Sequence, residues 1–183
     1  MVKKRLSLLS KRNSILIYCE GEECKAFVQY LKSQFFQRAH NYNIKINYVD
    51  GNANRLLQKL SKQPFNFQEY DLIITIYDLD IGAEFDYKLK EKCQKLYRQK
   101  KIRFIENKPC LEAFLLQILE GKNYSNYSDC GSLKTRFEHN YVGRKRRTNP
   151  NSYAKHFPKS LLTHRAQHIP DLQLLLDVIS GKV

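Results

Sequence analysis

The chain has 183 residues, with 32 Lys+Arg against 18 Asp+Glu and a formal net charge of +14. That length suffices for one domain burying roughly 70% of its unfolded surface, and its five cysteines, Cys19, Cys24, Cys93, Cys110 and Cys130, show neither a CxxC pair nor a regular framework, which excludes a disulfide scaffold or a zinc site defined by spacing. No apolar run reaches the ~18 residues of a membrane span, and the basic stretch Met1 to Arg12 is not followed by a long apolar segment, so the expected location is the cytoplasm, with no membrane partner. The charge favours a polyanion, nucleic acid first, because Lys and Arg that neutralise phosphates release condensed counterions.

Ser14 to Cys19 (SILIYC) is a continuous apolar run of strand length, broken at once by Gly21. Glu22 to Phe36 then carries Ala26, Phe27, Tyr30, Leu31 and Phe35 at helical spacing, with Glu22 and Glu23 in the first turn, where the helix dipole favours acids. The unit repeats. Asn43 to Val49 alternates like a strand, and Asn52 to Lys62 places Leu56, Leu57 and Leu60 on one helical face before Pro64. Asp71 to Tyr77 (DLIITIY) is the most apolar β-branched segment and is expected at the sheet centre; Phe85 to Gln99 is the next helix and Ile102 to Ile105 the fourth strand.

Strands alternating with helices predict right-handed crossovers and a mostly parallel, Rossmann-like four-stranded α/β sheet over 13–106, with helices on both faces. Beyond it, a helical extension over 107–183 is expected to pack on the sheet within one 1–183 domain. Pro109 to Leu119 reads as an apolar helix with Pro in its first turn, and Gly121 to Gly131 as a polar loop. Gly143 to Ser152 (GRKRRTNPNS) reads as a loop, and its four consecutive cations Arg144, Lys145, Arg146 and Arg147 are candidate phosphate contacts. His139, His156, His164 and His168 in this basic third are read as structural or solvent-exposed.

The chemistry is expected at the carboxyl ends of the strands, where open parallel sheets form ligand sites. Glu20 ends the first apolar strand, and Asp78 and Asp80 follow the third. Neighbouring strands lie about 4.8 Å apart, which would bring the three carboxylates within reach of one cation. Alternation turns Asp78 and Asp80 to the same side and Leu79 away into the core. Carboxylates that close repel unless a divalent ion neutralises them, and all-oxygen ligands suit Mg²⁺ or Mn²⁺. The plainer alternative has Glu20 capping the following helix and the two aspartates as turn residues. Glu112, an acid inside an apolar helix, is either a salt-bridge or capping residue or a ligand to a second ion about 4 Å from the first.

The segments ILIYCEGEECKAF (15–27) and TIYDLDIGAEF (75–85) resemble a Toprim domain of topoisomerases, primases and OLD-type nucleases. IENKPCLEAFLLQIL (105–119) is similar to the signature of RloB-like proteins, small prokaryotic Toprim-type proteins found beside restriction and other anti-phage genes, with Lys108, Leu111 and Phe114 standing where that signature has Ser, Phe and Trp. LKTRFEHNY (133–141) and the helix after Pro170 extend the likeness. The resemblance implies that Glu20 is an acid/base or metal-linked glutamate and that Asp78 and Asp80 bind metal. The function it implies is metal-dependent phosphodiester cleavage of DNA or RNA in anti-phage defence, with Glu20, Asp78 and Asp80 as catalytic residues. The alternative is a non-cleaving nucleic-acid or nucleotide binder within a defence complex of several proteins. The edge at Asn43 to Val49 would permit a homodimer.

Overall fold

The computed structural model describes residues 13–36, 42–62, 67, 69–79, 84–97 and 101–182. Four strands, β1 (Asn13–Glu20), β2 (Tyr42–Val49), β3 (Leu72–Asp78) and β4 (Lys101–Asn107), form one sheet in the order β2-β1-β3-β4. Every pairing is parallel. Helices α1 (Gly21–Phe35), α2 (Ala53–Lys62) and α3 (Tyr87–Leu96) are the crossovers, and α4 (Leu111–Glu120), α5 (Cys130–Asn140), α6 (Lys159–Ala166) and α7 (Pro170–Ser180) follow, with two 3₁₀ turns at Arg144–Arg146 and Pro150–Tyr153. Among the described residues no helix is long and apolar enough to cross a membrane.

The unbroken apolar runs of β1 and β3 exist because both faces of these central strands are covered. On one face Ile15, Ile17 and Cys19 of β1 join Ile74 and Ile76 of β3 in a cluster completed by α1, α4 and α7. On the other, Leu16, Tyr18, Ile73 and Tyr77 pack with Leu56, Leu57 and Leu60 of α2 and Cys93 of α3. Leu79, just past β3, packs on this second cluster, so the strand alternation that turns it inward leaves Asp78 at the sheet's carboxyl edge. The helical extension shares the first cluster: Phe27 of α1 meets Tyr153 and Phe157 with ring centroids 5.3 and 5.2 Å apart. It therefore packs on the sheet through the same apolar layer as α1.

Local boundaries differ from expectation for identifiable reasons. Helix α3 starts at Tyr87 because Asp86 caps it, accepting from the Leu89 N–H at 3.0 Å. Helix α4 starts at Leu111, with Cys110 as its cap, so Pro109 precedes the first turn and does not lie in it. The stretch expected to be loop up to Gly131 gives way to α5 at Cys130, where Asp129 accepts from the N–H groups of Gly131 and Ser132 at 2.8 and 3.2 Å. The basic segment contains the two 3₁₀ turns.

Candidate active site

Strand β1 passes into α1 without an intervening loop. Gly21 permits this, adopting φ 78°, a left-handed conformation that glycine takes at no steric cost. Glu20 is thereby left at the strand end as the residue before α1, yet its side chain makes no capping bond to that helix. It reaches across to β3, where its Oε2 accepts a hydrogen bond from the Asp78 N–H at 3.1 Å. The two residues are brought together by register: Cys19 pairs with Ile76, one residue before Glu20 and two before Asp78.

Asp78 is oriented from its other side by β4. Asn107 pairs with it in register, and the Asn107 Nδ2 donates to Asp78 Oδ1 at 3.0 Å, while the Asn107 carbonyl accepts from the Leu79 N–H at 2.9 Å. Asn107 is only 3% exposed, and its Oδ1 has no hydrogen-bond partner. Asn107 is thus a site residue that strand-end reasoning passes over, because an asparagine ending an edge strand reads as turn chemistry. The sequence marks it only by its place immediately before the KPCLE stretch.

Glu20, Glu22, Glu23, Asp78 and Glu112 line a single cavity of about 430 Å³, together with Lys134 of α5 and Thr148. A second cavity of about 170 Å³ opens on the far side of Asp78, between the start of α2 and the segment leading into α3. Asp80 lies outside the described residues. Among the described residues no three His, Cys, Asp or Glu side chains are grouped so as to hold a metal ion.

Two expected site residues, Arg147 and Glu112, are engaged with each other. Arg147, read as a phosphate contact with its three neighbours, is turned inward and 5% exposed. Its Nη2 pairs with both Glu112 and Glu23, its Nη1 bonds Glu138 at 2.8 Å, and its carbonyl accepts from the Tyr153 hydroxyl at 2.8 Å. A guanidinium held by three carboxylates is not available to a nucleic-acid phosphate; Arg144, Lys145 and Arg146 stay exposed. Glu112, 1% exposed, commits Oε1 to Arg147, while Oε2 is buried without a hydrogen-bond partner. The salt-bridge reading of Glu112 is the one its contacts bear out.

The thiols beside the cavity are poor nucleophiles. A hydrogen bond with Cys19, then burial, then the negative charge of Asp78 and Glu20 drive the Cys24 thiol well above its ordinary range. Burial pushes Cys110 up to about 12. Thiolate formation is therefore unfavourable here at neutral pH. Comparison with protein-family models, curated proteins and solved structures finds no match for this chain.

Proposed function

We propose that the chain is a metal-dependent phosphodiesterase acting on nucleic acid, its ion held at the carboxyl ends of β1 and β3. The observation that carries this reading is the joining of Glu20 to Asp78 across adjacent parallel strands, at the edge of a cavity lined by five carboxylates. The donor set is all oxygen, which fits Mg²⁺ or Mn²⁺. Asp78, steadied by Asn107, and Glu20 would hold the ion, with Asp80 as the third expected ligand. When bound, such an ion polarises a phosphate and activates water. Glu20 would take the proton of the attacking water, a role whose loss in Glu20→Gln typically lowers the rate by roughly 10²–10⁴-fold. The resemblance to RloB-like proteins supports a place in anti-phage defence.

One observation favours a second reading. Arg147 neutralises Glu23 and Glu112, which leaves fewer carboxylates for a pair of ions and suits a protein that binds a nucleic acid or nucleotide without cutting it. One experiment separates the two. The purified chain and its Asp78→Asn form are incubated with single- and double-stranded DNA, bulk RNA and transfer RNA in Mg²⁺, Mn²⁺ or EDTA. Fragments that need metal and disappear in Asp78→Asn support hydrolysis and identify the substrate class. Binding without fragments in any metal supports the non-cleaving reading.

A further inference from the structure

Helix α5 buries Leu133 and Phe137 and presents two cations near them, Lys134 and Arg136. Two residues apart on a helix, they project in different directions. Arg136 is committed to Glu120, its Nε and Nη2 donating at 3.0 and 2.6 Å. Lys134 instead lines the carboxylate cavity, remains exposed, and forms no ion pair or hydrogen bond among the described residues. Arg147 has taken Glu23 and Glu112, and Lys134 pairs with none of Glu20, Glu22 and Asp78.

The basic turn lies close by in the chain, outside the cavity lining. Arg147 is anchored to Glu23 and Glu112, and Thr148 lines the cavity directly. At about 2.0 Å rise per residue in a 3₁₀ turn, Arg144, Lys145 and Arg146 are held within roughly 6 Å along the chain of that anchor. Strand ends, α1 and α4 thus supply the acids of the cavity, and α5 of the helical extension supplies its cation, Lys134. We infer that Lys134 binds the phosphate that sits over Glu20 and Asp78, the neighbouring phosphates of the same strand lying on Arg144, Lys145 and Arg146. This inference rests on the nucleic-acid reading above and assigns Lys134 a binding role; the buried Arg147 is the positioning residue that fixes the basic turn beside it.

The test uses the full chain carrying Asp78→Asn, so that bound strands stay intact, and labelled DNA and RNA single strands of one sequence. Affinity is measured by fluorescence anisotropy from about 50 to 200 mM salt, for the unsubstituted chain, for this background and for the background with Lys134→Met, Lys134→Arg or Lys59→Met added. Lys59 is an exposed lysine of α2 and serves as the control. Loss of one phosphate contact to a single strand flattens the slope of log K against log salt by about 0.7. The expected result is that flattening, with several-fold weaker binding, in Lys134→Met only, restored by Lys134→Arg and with melting temperature unchanged throughout. Whichever of DNA and RNA shows the effect is the strand the site takes. An unaltered slope and affinity in Lys134→Met, with the background binding normally, overturns the assignment of Lys134 alone. Failure of both the unsubstituted chain and this background to bind either strand overturns the nucleic-acid reading and this inference with it.

Discussion

Arg147 shows how a residue that reads as surface charge becomes structural. A guanidinium presents its donors in a planar fork, and here both terminal nitrogens are taken by Glu23, Glu112 and Glu138. Replacing Arg147 by Met leaves Glu112 as an uncompensated charge in an almost fully buried position, and breaking a buried pair in this way costs about 3–5 kcal/mol. Urea denaturation of Arg147→Met should show a loss of that size, and adding Glu112→Leu should recover most of it, since an apolar pair of similar volume removes the stranded charge. A double mutant as unstable as the single one would mean that Arg147 stabilises mainly through Glu23 and Glu138. Nothing in the run Arg144 to Arg147 distinguishes the fourth cation from the first three; burial is decided by where α1, α4 and α5 place their glutamates. Glu20 and Asp78, by contrast, were legible because each is the first acid after an apolar strand. Asn107 was not, since its role depends on β4 lying beside β3 in a register that only the assembled sheet establishes.

At the scale of elements, the sheet and its crossovers were legible because apolar run length and helical spacing speak directly to burial. The extension was legible only as helices; where its ends dock depends on contacts with distant elements that no local pattern carries. Helix α7 illustrates this. It ends at Gly181, whose φ of 73° places it in the left-handed region favoured by glycine. The Tyr42 ring from the edge strand β2 lies directly over the position a Cβ would occupy, and the Tyr42 hydroxyl donates to the Ile179 carbonyl at 2.9 Å. Gly181 is therefore both the helix stop and the space into which β2 docks. Gly181→Ala incurs the left-handed penalty of about 1–2 kcal/mol and also displaces Tyr42, so its melting temperature should fall by more than that of Gly143→Ala, where a Cβ meets nothing within 4 Å. Equal melting temperatures would show that the α7 end is not held by the β2 edge.

Across the whole molecule, acid and salt act on different charges. Burial raises the Glu106 carboxyl, but hydrogen bonds from Lys90 and Tyr77 and the charges of Lys90 and Lys108 outweigh it and hold the group below its ordinary value near 4.5. Burial, then Lys155, lowers His156 from its ordinary 6.5. Both groups resist protonation when folded, so the unfolded chain binds more protons and stability declines as pH falls, first below about 6.5 through His156 and then below about 4.5 through Glu106. Burial and Glu106 raise Asp171, which acts in the opposite sense: its penalty at higher pH is relieved on acidification. The urea midpoint should therefore drop from pH 7 to pH 5, and Glu106→Gln should flatten only the limb below about 4.5. Binding depends on exposed cations instead. If Lys134, Arg144, Lys145 and Arg146 each neutralise one phosphate of a single strand, the slope of log K against log salt is about −2.8, a roughly fifty-fold loss of affinity from 50 to 200 mM. A net charge of +14 spread over the surface would also bind polyanions, but then substituting these four residues would change the slope no more than substituting any four exposed lysines. A slope that collapses only when these four are replaced places the strand on Lys134 of the carboxylate cavity and on the neighbouring basic turn.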